Sequence, residues 1–372
     1  MKFFKFAFFL IFTLILIASC DSKTQKKIES KSVSNIKYAT GFNILKTNNK
    51  TQIIITAPYP GATDKYVFNL SSEKSNKKNH IKTPINSIVV TSTTHIPALE
   101  LLNIENKLVG FPNTDFISSE KTRKLIDQNL VVDLGHPEHI NTETLLNLQP
   151  DLVMGFGVTS NNKMYETIEK FGIPVIINGD WLEKTPLGRA EWIKLYGALF
   201  NKEKQADSIF KNIEKNYLEA KEIAKNSKNK PTFICGGLYK DVWYLPGGNS
   251  FEATFLKDAN TNYLWKDSKG TGSLSLNVEN VFEKSENADI WISPGMYKTL
   301  KDLGEEHLIY TKMKAFNNKE IYSYNNTTGE TGGIWYFELA PTRPDLVLKD
   351  LIKIAHPDLL PNYKFTFYKK LK

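Results

Sequence analysis

The sequence predicts an α/β protein in which two Rossmann-like lobes are joined by a long rigid helix, with a small β-rich segment before them. Strand-like and helix-like segments alternate over residues 85–185 and again over 229–362, a rhythm typical of parallel sheets. A continuous helical pattern over residues 186–228 separates the two series. The 372 residues also exceed the roughly 250–300 at which one hydrophobic core stops growing, so two lobes are expected.

The N-terminus has the features of an export signal that ends at a lipid-attachment site. Two lysines precede an apolar run from Phe6 to Ile17, which only Thr13 interrupts, and two small residues lead to Cys20. The run is shorter than the roughly 20 apolar residues that a membrane span needs. The pattern resembles a bacterial lipobox, which predicts a signal peptide at 1–19 and a diacylglyceryl group on Cys20. The alternative is an uncleaved anchor with an incidental cysteine.

Two further segments precede the lobes. Residues 20–36 are rich in Ser, Lys, Thr and Asn and predict a flexible tether. Residues 37–84 contain short β-branched and aromatic runs separated by Asn-Asn and Pro-Gly, which favours antiparallel strands. The expected strands cover residues 38–45, 52–56 and 66–70. No function is predicted for this β segment.

The lobes themselves are predicted from alternating buried strands and short helices. In the first lobe the expected strands are 87–91, 108–111, 130–135, 151–155 and 174–177, with helices at 96–102, 142–148 and 165–171. In the second lobe the expected elements are 232–235, 251–256, 278–284, 289–292, 320–323 and 344–354. Between them, helices are expected over 189–200 and 202–225, with Asn201 as the break and N-cap. A helical connection predicts little hinge closure.

Charge and cysteine content exclude some classes of protein. The net charge of +8 comes from lysines scattered among Asn and Glu, and no Arg-rich arm or zinc pattern indicates nucleic-acid binding. Besides Cys20 the chain has only Cys235, in an apolar strand-like run, which predicts a buried thiol and no intramolecular disulfide.

The order of motifs resembles the periplasmic binding proteins of ABC importers for iron–siderophores and cobalamin. The stretches that carry the resemblance are 86–92, 98–102, 107–110 and 141–153 in the first lobe, and 277–292 and 333–345 in the second. The resemblance covers roughly residues 85–360 and leaves out the β segment. It implies a monomer that captures a bulky metal chelate, such as an iron–siderophore, haem or cobalamin, between its lobes. Such a protein delivers its cargo to a permease with its ATPase, has no resident cofactor and is not an enzyme.

The same resemblance indicates two residues that would dock on the permease. Glu143 and Glu279 occupy matching places, each on a helix that precedes an Asp-containing strand. In relatives, two such surface carboxylates dock on arginines of the two permease subunits, where charge-assisted bonds can set orientation. The alternative is that each is an ordinary acid in the first turn of a helix.

Loops that follow the strands should line the cleft between the lobes, because ligands bind at the carboxyl ends of parallel strands. Aromatic side chains there would suit macrocycles and catecholates, which offer flat faces. The predicted ligand-binding residues are Thr94, His95, Phe116, His136, Trp181, Tyr239, Trp243, Trp335 and Tyr336. Trp291, inside a strand, and Trp192, on a linker helix, are expected to pack in the core.

Several alternatives remain open at this point. Relatives that bind cobalamin carry Trp where this chain has Pro137 and Ser273, which disfavours cobalamin itself. His136 and His139 could contact a metal centre, or they could be surface or capping histidines. A receptor for bare zinc or manganese would need more ligands; His95 and Asp115 are available, but the spacing of Asp and Glu offers no convincing set. An exported enzyme or a scaffold lipoprotein is the alternative of another class, although the common hydrolase and phosphate-binding motifs are missing from the sequence.

Overall fold

The computed structural model describes residues 34–47, 50–75, 77–160 and 162–372. The predicted signal peptide, the lipidation site Cys20 and most of the predicted tether lie outside these residues. Among the residues described, no helix combines the length and apolar character that crossing a membrane requires.

A four-stranded sheet forms the β-rich N-terminal segment. Its strands are β1 (Phe42–Thr47), β2 (Lys50–Ile55), β3 (Tyr66–Ser71) and β4 (His80–Lys82). The first three pair antiparallel, as predicted, and β4 adds a parallel edge that the sequence did not predict. Alternate side chains such as Ile53, Ile55 and Phe68 are buried and share one core with the linker helices. The sheet is therefore an extension of the first lobe.

The first lobe (N-lobe) is a five-stranded parallel sheet with connecting helices. Its elements are β5 (Ile88–Val90), α1 (Ile96–Leu101), β6 (Leu108–Phe111), α2 (Glu120–Asp127), β7 (Val132–Asp133), α3 (Thr142–Leu148), β8 (Leu152–Phe156), α4 (Lys163–Lys170) and β9 (Val175–Asn178). The strand order is β7-β6-β5-β8-β9. The winding direction reverses between β5 and β8, and such switch points open a crevice at the carboxyl ends of the strands.

Three helices connect the lobes. They are α5 (Pro186–Glu191), α6 (Ile193–Leu199) and α7 (Glu203–Lys225). Asn201 breaks the helical run as predicted and has a left-handed backbone, with φ of 54°. The expectation that Asn201 is also the N-cap is wrong, because α7 starts one residue later and Lys202 occupies the cap position without a side-chain bond.

The second lobe (C-lobe) contains two sheets. Its elements are β10 (Thr232–Cys235), β11 (Gly237–Tyr239), β12 (Val242–Pro246), α8 (Phe251–Asp258), β13 (Asn262–Tyr263), β14 (Ser273–Asn277), α9 (Val278–Ser285), β15 (Ile290–Ile292), α10 (Leu300–Glu306), α11 (Lys314–Asn317), β16 (Ile321–Ser323), α12 (Trp335–Leu339), α13 (Pro344–Ala355) and β17 (Lys369–Lys370). The main sheet has the order β13-β10-β15-β16-β17 and is parallel except for β17. A small antiparallel sheet, β11-β12-β14, lies beside it.

The predicted fold class, two α/β lobes with a long helix between them, is confirmed.

The predicted end of the C-lobe was residue 362, but in the structure this lobe continues past that residue. The carboxylate of Asp350 is buried and accepts N–H bonds from Thr366 at 2.9 Å, Phe367 at 2.7 Å and Tyr368 at 2.9 Å. Both Phe367 and Tyr368 are buried in the core of the lobe. These hydrogen bonds fix the backbone of residues 366–368, so that the next residues pair with β16 and form the edge strand β17.

Two buried glutamates fasten the chain before β1 to the linker region. Glu191 accepts the backbone N–H groups of residues 37–39. Glu183 accepts those of Thr40 at 2.9 Å and Gly41 at 2.8 Å. Both carboxylates are buried, and these N–H groups supply the partners without which a buried charge is costly. The N-terminal sheet is therefore tied to the helices that join the lobes.

Candidate ligand-binding cleft

The two lobes meet through loops that follow their parallel strands. Thr331 of the C-lobe donates its hydroxyl to the carbonyl of Asp115, at 2.6 Å. Gly333 lies so close to the N-lobe that a Cβ there would be 2.7 Å from the carbonyl oxygen of Phe116. Nearby, α12 packs against the turn at Thr93–His95. The carboxyl ends of β5 and β6 thus share a cleft with the segment around α12.

A buried carboxylate holds this contact at one side of the cleft. Glu338 on α12 accepts the backbone N–H of Ser118 at 2.7 Å and that of Ser119 at 3.0 Å. Burial raises the pKa of the Glu338 carboxyl to about 7, and the charge of Glu100 on α1 acts in the same direction. Glu100 itself accepts the hydroxyls of Ser119 and Thr122. Carboxylates of both lobes therefore converge on the loop before α2.

A second polar contact joins the linker to both lobes at the base of the cleft. The Arg189 guanidinium donates to the carbonyl of Trp181 at 2.8 Å and lies 3.5 Å from the ring centroid of Phe251 in the C-lobe. Asp180 is buried, and burial raises the pKa of its carboxyl to about 6, while the charge of Arg189 and a bond from Thr94 oppose the rise. Neither Arg189 nor Phe251 was predicted, because no local pattern links residues so far apart.

Several of the predicted ligand-binding residues present a surface at the strand ends. Phe116 and Tyr239 are 49% and 66% exposed. Trp181 is half-buried and has Phe156 beside it, with ring centroids 5.6 Å apart. Thr94 and Trp335 are half-buried where the 93–95 turn meets α12. These side chains come from both lobes and leave aromatic faces open.

Some exposed aromatic residues of the same loops were missed as candidates. Phe156 ends β8, and Phe337 lies on α12 and is 51% exposed. The position of Phe156 at a strand end was a usable signal, since ligands bind at such ends.

Three predicted residues lie inside the protein. Trp243 is 1% exposed and stacks on Trp291 with ring centroids 5.5 Å apart, so the expectation that it lines the cleft is corrected. His95 has no exposed surface, its ring nitrogens have no partner among the described residues, and burial lowers its pKa to about 3. A fully buried neutral ring offers a ligand no contact. Tyr336 is buried against Tyr324, with parallel rings 4.0 Å apart.

Two histidines stand apart from this cluster. His136 and His139 are exposed in the loop after β7, with ring centroids 6.4 Å apart. In the part of the chain that is described, no three His, Cys, Asp or Glu side chains are grouped as metal ligands. Trp192 and Trp291 are core residues and Cys235 is a buried free thiol, as expected.

The proposed docking acids have the same local geometry in the two lobes. Glu143 is the second residue of α3 and follows the N-cap Asn141, and Glu279 is the second residue of α9 and follows the N-cap Asn277. Both glutamates are exposed. Neither carboxylate has a hydrogen bond or ion pair with the residues described, so both are available to a partner.

Comparisons with known proteins agree with this architecture. A family model described as periplasmic binding protein matches residues 88–328. The uncharacterized lipoprotein MJ0878 of Methanocaldococcus jannaschii is 26% identical over 377 residues, which cover 93% of this chain and 88% of that protein. A possible iron-binding (periplasmic solute-binding) protein of Staphylococcus epidermidis superposes with a TM-score of 0.59 at 18% identity, covering 74% of this chain and 100% of that one. The periplasmic heme-binding protein HutB of Vibrio cholerae does so with a TM-score of 0.55 at 15% identity, covering 71% and 99%. The family match spans more than half of the sequence, and the chain therefore belongs to the periplasmic binding protein family, whose members bind solutes and are not enzymes.

Proposed function

We propose that this protein is the membrane-anchored solute-binding component of an ABC importer. In this proposal it captures an iron–siderophore, or a related chelate such as haem or cobalamin, between its lobes and delivers it to the permease. One observation carries the proposal: loops of both lobes meet at the strand ends and leave aromatic rings at least partly exposed there, including Phe116, Trp181 and Trp335. Flat, bulky chelates with a polar rim suit such a surface.

A chelate is favoured over a bare ion by the chemistry of the same loops. Bare zinc or manganese needs several convergent nitrogen, sulfur or oxygen ligands. Within the described residues no such group of three exists, and the exposed pair His136 and His139 falls short of a complete set. The names of the structural neighbours in Staphylococcus and Vibrio, which mention iron and heme, support the same ligand class.

The test is to purify the protein from its native envelope and identify the chelate that accompanies it by mass spectrometry. The purified protein is then titrated with ferric siderophores, haem and cobalamin, and separately with Zn²⁺ and Mn²⁺. We expect a chelate to bind and to quench tryptophan fluorescence, since Trp181 lies among the exposed rings. Tight binding of a bare ion alone would overturn the proposal in favour of a metal receptor.

Phe116→Ala is expected to weaken chelate binding by about 2 kcal/mol, or about 30-fold in Kd, because truncating an aromatic anchor removes a binding hot spot. Calorimetry measures the change. The control is Phe171→Ala, since Phe171 is also an exposed phenylalanine (68%) but follows α4, at the opposite ends of the strands. Equal losses in the two variants would contradict the assignment of Phe116 to the cleft.

Replacing both Glu143 and Glu279 with alanine is expected to abolish uptake and leave the Kd for the chelate unchanged, since exposed charges orient partners. Uptake by cells and calorimetry on the purified variant give the two readouts. A matched control replaces Glu120 and Glu305, one exposed acid on each lobe, and should transport normally. Wild-type uptake by the first double variant would refute docking through these carboxylates.

Cys20→Ala is expected to abolish lipid attachment and to move the protein from the membrane fraction to the soluble fraction or leave it uncleaved. The reason is that the thiol of Cys20 is the proposed acceptor of the diacylglyceryl group. Metabolic labelling with a radioactive fatty acid, followed by fractionation, measures both effects. Unchanged labelling of the variant would rule out the lipobox. The control is Cys235→Ala, whose thiol is buried and should not affect labelling.

A further inference from the structure

The positive charge of this protein is concentrated in its N-terminal β segment. Residues 37–84 contain eight lysines and two acids, Asp64 and Glu73, which gives the segment a net charge of +6. Residues 85–372 contain 34 lysines and arginines against 36 acids, which gives a net charge of −2. The two lobes and their linker are therefore slightly acidic, and the segment before them is strongly basic. A charge asymmetry of this size indicates an anionic partner for the basic part.

Five of these lysines lie at one end of the N-terminal sheet. Lys50 starts β2 beside the end of β3, because the next residue, Thr51, pairs with Leu70. Ser71, the last residue of β3, pairs with Lys82 of β4 at the same end. The loop 72–79, which begins after Ser71, carries the other three lysines. We call this group the basic end of the sheet, and its members are Lys50, Lys74, Lys77, Lys78 and Lys82.

The lysines of the basic end are available to a partner. All five are exposed, and none of them forms an ion pair with another residue in the described part of the chain. Two other lysines of the same segment differ in this respect, since Lys37 pairs with Glu214 at 2.5 Å and Lys46 pairs with Glu203 at 2.7 Å. Like charges that are held close together without counter-charges raise the local potential and attract anions.

An open groove of about 640 Å³ adjoins the basic end, between the loop 72–79 and the end of α4. Residues 172–174, which lead from α4 into β9, also line it, so the groove lies at the amino ends of the N-lobe strands. The ligand cleft lies at their carboxyl ends, on the opposite side of the lobe. The lysines and acids that line the groove are Lys74, Lys77, Lys78 and Lys170, and Glu166 and Glu169.

The chain enters the described structure through the same sheet. Ser34, the first residue described, donates its hydroxyl to the side-chain oxygen of Asn43 on β1 at 2.5 Å. Ser34 is 14 positions after Cys20, the proposed lipidation site, and a chain of that length spans at most about 50 Å. The sheet therefore stays near the bilayer, where lysines add electrostatic attraction to a lipid anchor.

We propose that the basic end of the N-terminal sheet binds anionic phospholipid headgroups and holds the lipid-anchored protein with its cleft facing away from the bilayer. The orientation rests on the proposed lipid attachment at Cys20, whereas the affinity of the basic end for lipid does not. A diacylglyceryl group has two acyl chains, which suffice for retention, so the lysines set the orientation. In this orientation the cleft is open to solution for capture, and docking through Glu143 and Glu279 requires the basic end to leave the lipid.

Vesicle binding tests the affinity of the basic end. The mature polypeptide from residue 20, prepared without its lipid, is sedimented with vesicles of equal parts phosphatidylglycerol and phosphatidylcholine, and with vesicles of phosphatidylcholine alone. We expect binding to the anionic vesicles that is at least tenfold tighter than binding to the neutral ones, because only the former attract lysines. Raising the salt concentration should remove the difference, since salt screens exposed charges.

Two variants of equal net charge show which lysines are responsible. The first variant should bind the anionic vesicles at least tenfold more weakly, and it changes four lysines of the basic end to glutamine: Lys74, Lys77, Lys78 and Lys82. The matched control should bind nearly like the wild type, and it changes four exposed lysines of the C-lobe to glutamine: Lys257, Lys269, Lys312 and Lys319. Thermal unfolding verifies that both are folded. Equal weakening in the two variants would overturn the inference, as would wild-type protein that binds both kinds of vesicle equally.

Amine-reactive labelling of the lipidated protein, reconstituted in the same two kinds of vesicle, tests the orientation. Lys77 and Lys78 should be labelled at least threefold more slowly on anionic than on neutral vesicles. Lys298, exposed after β15 on the cleft side of the C-lobe, should be labelled equally on both. Protection of Lys298 instead of Lys77 and Lys78 would contradict the proposed orientation.

Uptake by cells separates a lipid partner from a protein partner. A basic-end variant that binds anionic vesicles like the wild type but loses uptake would assign these lysines to a protein and overturn the inference. The chelate titration and the labelling of Cys20→Ala decide the proposed function by themselves. Vesicle binding by the unlipidated polypeptide requires neither a chelate nor the lipid, so failure of one proposal is distinguishable from failure of the other.

Discussion

Glu191→Ala is expected to destabilise the folded protein by about 3–5 kcal/mol, the range measured when one partner of a buried charge pair is removed. The Glu191 carboxylate has no exposed surface and accepts the N–H groups of Lys37 at 2.9 Å, Tyr38 at 2.6 Å and Ala39 at 2.9 Å. It also pairs with the buried ammonium of Lys194 at 2.8 Å. Alanine would leave three donors and one buried charge without this partner. Urea unfolding measures the loss.

The matched control for this experiment is Glu222→Ala. Glu222 lies on α7 and pairs with Lys225 at 2.6 Å, but both side chains are more than half exposed. Exposed pairs contribute about 0–1 kcal/mol, so the control should unfold almost like the wild type. Hydrogen exchange should also show that the Glu191 variant loses protection at residues 37–39 first. A loss of stability no larger than that of the control would contradict the role assigned to Glu191.

Trp243→Ala is expected to destabilise the protein by about 3–5 kcal/mol, the cost of a large aromatic-to-alanine change in a core. Trp243 stacks on Trp291 and meets Tyr310 edge-on at 5.7 Å, and its Nε1 donates to the carbonyl of Cys235 at 3.0 Å. Alanine would leave a void and an unpaired carbonyl. Denaturant unfolding measures the stability, and calorimetry on the folded fraction measures chelate affinity, which should not change.

Tyr239→Ala provides the comparison, because Tyr239 is exposed and on the preceding strand of the same small sheet. The free energy of unfolding of the Tyr239→Ala variant should differ from that of the wild type by less than about 0.5 kcal/mol, as for most surface substitutions. If Trp243→Ala weakened chelate binding about 30-fold and left stability intact, Trp243 would belong to the cleft after all.

The sequence predicted the class of fold and the main strands and helices of each lobe because both depend on local periodicity, whereas β4 and the small sheet β11-β12-β14 were not predicted. Alternation of buried strands with helical stripes indicated two parallel sheets, and the apolar stripe of α7 indicated the connecting helix. The matching positions of Glu143 and Glu279 were also readable, since each is the second residue after an Asn at a helix start. Exposed residues such as Phe116 and Tyr239 were found because they follow or end strands.

The direction in which Trp243 faces was decided by tertiary structure. Trp243 was predicted to line the cleft, but β12 pairs with β11 on one side and β14 on the other. Successive side chains of a strand point to opposite faces of its sheet. Trp243 and Leu245 therefore enter the core, and Tyr244 between them faces outward. Only the packing of this small sheet on the main sheet determines which face is buried.

The sequence also did not predict the polar contacts between the elements that form the cleft. Glu338 binds backbone groups of Ser118 and Ser119, Arg189 reaches Phe251, and Glu191 holds residues 37–39, all across long stretches of chain. A glutamate that accepts distant backbone N–H groups has the same local pattern as an exposed helix acid. Local periodicity therefore determined the main elements and their order, and tertiary structure decided which charges are buried, because burial depends on partners that the fold alone brings together.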